Sequence, residues 1–418
     1  MLLLCLLISS LLAGPALAQD GVSAADNAWV LISAALVLIM IPGVGLFYGG
    51  MVRKKNAIST IIFSFAVMGI ISLQWILYGY SLAFGHDIGG LVGGLDFLGL
   101  SGVGLEAKEG LSIPALTFMI FQGMFAIITV SLITGSYVER IKFSSFLVFS
   151  LAWATLVYDP VAHWVWGGGW LAQMGVLDFA GGIVVHITAG VSALAVALVI
   201  GARRGFGTDP MEPHNIPTTV MGAALLWFGW FGFNAGSAPA ANGIAANAFV
   251  TTNTSAAAAA TTWMLLSWRD RAPSALGIVT GAVAGLAAIT PAAGFVTPLA
   301  AVPIGVVAAI AGYYAIILIR GSGRVDDSLD VLACHGIGST WGVLATGIFA
   351  SIGAAGLLAG NSHQLLIQLL AVAVTWAYSF AVTFGLARII DALMGLRVKE
   401  EEEAVGLDIS QHGEGAYM

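Results

Sequence analysis

Residues 180–201 read AGGIVVHITAGVSALAVALVIG, 22 residues without an Asp, Glu, Lys or Arg. A helix crosses the hydrocarbon of a bilayer with about 20 predominantly apolar residues, so this stretch is long enough to span. It lacks the period-2 alternation by which a barrel strand faces lipid and lumen in turn. In lipid such a segment satisfies its own backbone N–H and C=O groups as a helix. One ionisable side chain, His186, sits inside it.

Similar blocks recur along the chain. Reading them between charged or turn-rich punctuation gives spans near residues 28–50, 58–84, 113–137, 143–159, 180–201, 215–237, 243–267, 274–290, 298–319, 331–354 and 364–395, eleven helices in all. The 418 residues are 59% hydrophobic and 9% charged, more apolar surface than a soluble fold of this length buries. The 54 glycines suit close helix contacts. The fold class expected is an all-α integral membrane protein.

The amino-terminal MLLLCLLISSLLAGPALA reads as a secretory signal cut after Ala18. Leu2–Ala13 is too short to span, and Gly14-Pro15 ends it. Residues 1–18 are then the signal, 19–395 the membrane domain and 396–418 a tail. Cleavage removes Cys5 and leaves Cys334 alone, so no internal disulfide framework forms.

Basic residues set the orientation. Arg53-Lys54-Lys55, Arg140 and Lys142, Arg203-Arg204, Arg269 and Arg271, Arg320 and Arg324, and finally the cluster of Arg388, Arg397 and Lys399 each fall at or after the end of an odd-numbered span. Only Lys108 falls in a loop after an even-numbered one. The positive-inside rule puts the odd exits in the cytoplasm, the amino terminus outside and the tail inside, in a cell (inner or plasma) membrane. The net charge of −7 comes largely from loops and from Glu400–Glu403, with no basic stripe interleaved by aromatics, so nucleic acid is not an expected partner.

Asp178-x7-His186 at the fifth span recurs as Asp327-x7-His335 at the tenth, five spans later, and Phe47-x2-Gly50 in the first echoes Phe233-x2-Gly236 in the sixth. An odd repeat length inverts the second copy, which is how transport folds bring related groups to the midplane from both sides. The expectation is an inverted five-helix repeat plus a final long helix.

An intramembrane ionisable residue is a functional-site hypothesis by default. A neutral histidine bonded to a neighbouring helix is the plainer reading of His186 or His335 alone; their repeat-related positions favour a shared site. Two imidazoles meeting in a narrow pore each donate and accept one hydrogen bond, and low dielectric favours the neutral rings, which suits a small polar solute. His86, His214, His363 and His412 fall in expected loops or the tail, and His163 in the AHWVWGGGW turn reads as structural. Haem ligation by the histidine pair is a rival from another class.

Phe121 and Phe125 stand at i and i+4 in FQGMF, and Trp230, Phe233 and Ser237 share a face in LLWFGWFGFNAGSA. Packing alone accounts for either group. Near Trp166 in the outer loop, however, such aromatic faces attract a cation losing its water, and Ser237 offers it a hydrogen-bond acceptor. Asp178-Phe179-Ala180-Gly181 reads as a capped helix start. No Cys/His/carboxylate cluster has metal-ligand spacing, so neither metal nor cofactor is expected.

These motifs coincide with a known family. FQGMFAIITV, SYVERIKFSS, AHWVWGGGW, LDFAGGIVVHI, GWFGFNAGS, RVDDSLDVLACHG and GLDISQHGEGAY occur in order over essentially the whole mature length. The chain resembles the bacterial ammonium transporters of the Amt/Rh superfamily.

That resemblance implies a non-enzymatic ammonium transporter. Phe121, Trp166 and Ser237 would form an outer recruitment site supported by Asp178, Phe125 and Phe233 a stacked gate beneath it, and His186 with His335 a twin-histidine pore lined also by Trp230. It further implies a homotrimer, methylammonium as an analogue substrate, and a tail that docks a PII-type signal protein through Gly406, Asp408, His412, Glu414 and Tyr417. Asp159 departs from the apolar residue of the best-known members. The alternatives are an ammonium sensor signalling through its tail and a carbon dioxide or ammonia gas channel of Rh type.

Overall fold

The computed structural model describes residues 21–417, and the expected signal segment lies outside the described residues. Nine helices among the described residues are long and apolar enough to cross a membrane: α1 (Ala24–Met51), α2 (Lys54–Phe84), α3 (Ala115–Ser136), α4 (Phe143–Gln173), α5 (Gly182–Ile200), α6 (Ile216–Gly236), α9 (Pro298–Ser322), α10 (Leu332–Phe349) and α11 (Ser362–Met394). Two more complete the eleven: the Ala- and Thr-rich α7 (Gly243–Asp270) and the short α8 (Ala275–Ile289). A two-stranded hairpin, β1 (Asp87–Ile88) and β2 (Val92–Gly93), sits in the loop after α2.

Helices α1 and α6 make the most extensive contact, and it runs antiparallel through glycines. A Cβ on Gly222 would meet Phe47 N at 2.2 Å, one on Gly229 would meet Leu36 O at 2.4 Å, and one on Gly236 would meet Ser33 Cβ at 2.5 Å. With no side chain at these positions the backbones approach closely, as lipid-embedded helices require. The first helices of the two repeat halves therefore run in opposite directions, the inversion expected from the paired motifs.

The second shared feature is finer. Both α5 and α10 open with a π-helical turn, Gly182–Ile187 and Leu332–Ile337, and each turn carries its histidine near the end. A π turn widens the helix locally and displaces the side chain at that point, a device common at functional sites.

Helix α4 runs past the expected end at 159 through a further π turn (Ala154–Tyr158) to Val165, and breaks at Trp166 before resuming at Trp170. Asp159 does not end the helix because it is buried and accepts a 2.7 Å hydrogen bond from Gln74 Nε2 of α2. His163 consequently lies on a helix rather than in a turn, with ring nitrogens 3.0 Å from Ala83 O and 2.9 Å from Asp87 Oδ1, where it ties α4 to the hairpin. Helix α10 stops at Phe349, short of the expected 354, because Ser351 and Ile352 donate backbone bonds to Phe295 O.

After α11 the tail turns back along the membrane domain through two short helices, α12 (Glu400–Val405) and α13 (Leu407–His412).

Candidate functional site: a vestibule above a histidine-lined passage

Helix α3 presents Phe118, Phe121, Gln122 and Phe125 at i, i+3, i+4 and i+7, one face of a helix. With Trp166, Asp178, Phe179 and Ser237 this face walls a cavity of about 340 Å³. Phe121 and Phe125 meet edge to face, centroids 4.9 Å apart, and Phe125 meets Trp166 the same way at 5.9 Å.

Polar atoms in this vestibule are either pinned or waiting. The Trp166 indole N–H donates to Asp178 O at 2.9 Å, which fixes the ring plane. Ser237 spends its hydroxyl hydrogen on Phe233 O at 2.9 Å. Its oxygen therefore faces a ligand only as an acceptor. Gln122 Oε1 is buried and has no hydrogen-bond partner among the described residues. Asp178 is used differently: its two carboxylate oxygens accept backbone N–H groups from Gly181, Gly182, Ile183 and Val184 at 2.6–3.2 Å. Those are the orphan donors of the α5 start, and Gly181, at φ +112°, provides the left-handed turn that lets the chain loop back over its own aspartate. The capped start expected from the sequence is present, with four donors on one carboxylate.

Below the vestibule Phe125 and Phe233 pack together, ring centroids 4.4 Å apart. They are tilted at 49° rather than stacked flat. Phe125 already engages Phe121 and Trp166 by its edges, and the ring quadrupole disfavours a face-to-face sandwich.

Beneath those rings lies a small cavity lined by His186, His335, Trp230, Phe233, Tyr48 and Val44 among others, with room for the centre of a single water-sized sphere, about 10 Å³. That is the smallest space that holds one water. His335 Nδ1 and His186 Nδ1 are 3.2 Å apart, so one N–H donates to the other ring nitrogen. The rings lie 21° from parallel at 5.1 Å, and His186 is flanked by Trp230 at 5.3 Å and Phe233 at 5.8 Å. His186 Nε2 has no partner among the described residues. Glycines set this approach: a Cβ on Gly190 of α5 would lie 2.1 Å from Gly336 N of α10, so only a bare backbone lets the histidine turns meet.

Trp230 is held by a residue the sequence reading passed over, Thr290 at the end of α8. Its Oγ1 accepts the indole N–H at 2.9 Å and donates to Leu286 O at 2.8 Å. Phe118 and Gln122 were legible as extensions of the Phe121/Phe125 face; nothing in the local sequence marks Thr290.

At the end that carries the tail, the loop cations gather around one buried carboxylate. Glu139 accepts from Arg53 N, Asn56 Nδ2 and Arg203 Nη1 at 2.8–3.0 Å, and Arg203 also pairs with Asp326. Burial pushes the Glu139 carboxyl up, but Arg203 and Arg53 outweigh it and hold it below its ordinary range. Asn56 Oδ1 in turn accepts Leu407 N of the tail at 2.8 Å.

The expected tail residues divide by what they touch. Asp408 caps α2, accepting Ile58 N at 3.0 Å and Ser59 N at 2.7 Å. Gly406, at φ +112°, lies against Lys55. The His412 ring meets Phe143 edge on at 4.9 Å. Tyr417 OH accepts from Asn215 Nδ2 at 3.1 Å, and Lys54 stands over its ring. The Glu414 side chain is exposed.

The chain is similar to known proteins over most of its length. A family model described as Ammonium Transporter Family matches residues 28–417. Ammonium transporter Amt1 of Archaeoglobus fulgidus is 56% identical over 393 residues, 93% of this chain and 98% of the relative. The crystal structure of Candida albicans Mep2 superposes with a TM-score of 0.88 at 38% identity, covering 95% of this chain and 91% of that one. A structure named Sensor Amt Protein gives a TM-score of 0.88 at 30% identity, covering 93% and 98%.

Proposed function

The chain belongs to the ammonium transporter family, and from that premise we propose that it carries ammonium across a membrane in two stations, a cation site in the vestibule and a passage for ammonia beneath it. The observation that carries the reading is the contrast in room and polarity across the Phe125–Phe233 pair.

In the vestibule, Phe121, Phe125 and Trp166 turn ring faces or edges to a cavity large enough to keep several waters, and Ser237 offers an oxygen with no hydrogen left to donate. Cation–π contacts contribute about 0.5–2 kcal/mol each. That is far less than the full hydration of a small cation, for which the idealised cost of transfer to a low-dielectric medium is of order 20 kcal/mol. Ammonium is therefore held partly wet there, and the water-sized passage below admits no hydrated ion.

Loss of a proton, handed to vestibule water or to the histidine pair, resolves the mismatch. Ammonia is neutral, fits a water-sized space, and can accept from or donate to the His186–His335 pair, whose Nδ1–Nδ1 bond leaves the Nε2 of His186 directed elsewhere. Trp230, positioned by Thr290, stacks on the His186 ring and holds it at the passage. Phe125 and Phe233 part to admit one molecule at a time. Asp178 supports the site by holding the α5 start and, through its carbonyl, the Trp166 ring. The same residues serve passage of ammonia alone and of ammonia with a proton relayed by the histidine pair. The cation-binding aromatic and hydroxyl group favours this over a gas channel of Rh type.

Residues 1–18 act in this reading as a cleaved signal, 19–395 as the transporter domain and 396–418 as a cytoplasmic regulatory tail. The cluster of Arg53, Arg140, Arg203 and Arg397 at the tail's end supports placing that end in the cytoplasm. Exposed Ile409, Glu414 and Tyr417 of the docked tail leave a surface for a PII-type signal protein, and exposed Phe65, Leu73 and Leu77 on α2 suit lipid or a neighbouring copy in a homotrimer.

Uptake of labelled methylammonium by proteoliposomes tests the function. The expected result is saturable uptake that ammonium suppresses and potassium at the same concentration does not; equal suppression by both ions would refute the selective cation site.

A further inference from the structure

Lys108 is the one Lys or Arg that the charge pattern leaves on the outer side, and its position is not that of a solvated loop charge. The backbone around it is pinned: Lys108 N donates to Ile113 O at 2.9 Å, Leu111 N donates to Lys108 O at 2.9 Å, and Ala107 bridges Pro114 just before α3 begins. The side chain is half-buried, and its ammonium nitrogen stands 4.7 Å from the centroid of the Phe118 ring. No carboxylate lies within salt-bridge distance of it among the described residues.

Phe118 belongs to the vestibule. It is the outermost ring of the α3 face that continues through Phe121 and Phe125, and Phe84 packs against it edge to face at 5.1 Å. An alkylammonium group is thus tethered over the first aromatic ring that an incoming cation would meet.

We propose that Lys108 is an affinity-setting residue of the vestibule, a built-in ammonium group that occupies the Phe118 face and repels the cation bound one turn deeper. The inference rests on the reading of the vestibule as a cation-recruitment site. Two effects of the same sign follow from one side chain. One electron-rich face of the ring is taken, so that face adds nothing to ammonium binding. The Lys108 charge also lies about 10 Å from a cation at Phe121, given one helical turn between the rings. At that separation, with an effective dielectric between protein surface and water, repulsion weakens binding by about two- to tenfold.

The test is the half-saturating concentration of labelled methylammonium uptake by proteoliposomes of the full chain, for the wild type, Lys108→Gln and Lys108→Arg, with Trp166→Leu in parallel. Lys108→Gln is expected to lower the half-saturating concentration by about two- to tenfold at low ionic strength, while Lys108→Arg, which keeps the charge over the ring, stays near wild type. Raising sodium chloride should bring the wild type toward the Gln variant, because screening acts over about 10 Å at 0.1 M; this arm needs no variant to fold. An unchanged or higher value for Lys108→Gln, an Arg variant that behaves like Gln, or a wild type indifferent to salt overturns the proposal. If Trp166→Leu raises the concentration while Lys108→Gln does nothing, Lys108 alone loses its role; if neither moves, the recruitment site falls with it.

Discussion

The vestibule and the passage beneath it are walled by the same kinds of residue, aromatic rings with a few polar atoms between them, yet they differ in room and in how those polar atoms are committed. The vestibule has about 340 Å³ and an acceptor on Ser237 whose hydrogen is already committed. The passage has about 10 Å³ and a pair of bonded imidazoles. Aromatic surface by itself does not decide whether a cation is welcome. Room for its remaining water and oxygens free to accept do, and both end at the Phe125–Phe233 pair.

The sharpest way to break that comparison is to remove what holds the two regions in register. Asp178→Ala strips four backbone N–H groups of their acceptor at the α5 start and loosens the chain that carries Trp166's partner. A loss of about 3–5 kcal/mol is expected, since each buried donor left unpaired costs about 1–3 kcal/mol and part of that is regained by water. Thermal unfolding in detergent should show it, with uptake abolished; Asp178→Asn, which keeps one acceptor oxygen, should fall between.

Phe125→Ala dissolves the boundary and takes one ring from the vestibule wall while leaving the histidine pair in place. Truncating a buried Phe costs about 3–5 kcal/mol where the site cannot collapse, and here it opens the vestibule onto the passage, so smaller loss is expected where water enters. Discrimination should drop, read as a potassium current that the wild type lacks.

Ser237→Ala and Trp166→Leu change only the vestibule. Each removes one partner of the bound cation worth about 0.5–2 kcal/mol, so the half-saturating ammonium concentration should rise about two- to thirtyfold while the passage, and with it the exclusion of potassium, stays as it was. A fall in maximal rate with no change in half-saturation would place these residues somewhere other than the entrance.

Much of this was readable before any coordinates. Composition and block length gave eleven helices because lipid leaves the backbone few options, and the paired Asp-x7-His motifs announced the inversion that the antiparallel α1–α6 contact shows. The errors fell where tertiary contact overrides local punctuation. Asp159 looked like a helix end because a carboxylate seldom sits inside a span, but Gln74 reaches across from α2 to meet it. The π turns that aim His186 and His335 have no sequence signature, and Thr290 is ordinary until Trp230 is seen to lean on it. Lys108 was visible as an exception to the charge rule, while its seat over Phe118 was not.

The central claim is that the histidine pair lets ammonia through while barring a bare cation. It is tested most directly by the flux of labelled methylammonium and of potassium into proteoliposomes, comparing wild type with His186→Ala and His335→Ala. The account predicts methylammonium-selective flux in the wild type and, in each variant that retains the folded state, a lost or unselective response, with methylammonium flux changed at least tenfold or potassium now carried. Wild-type methylammonium flux with potassium still excluded in both variants would contradict it.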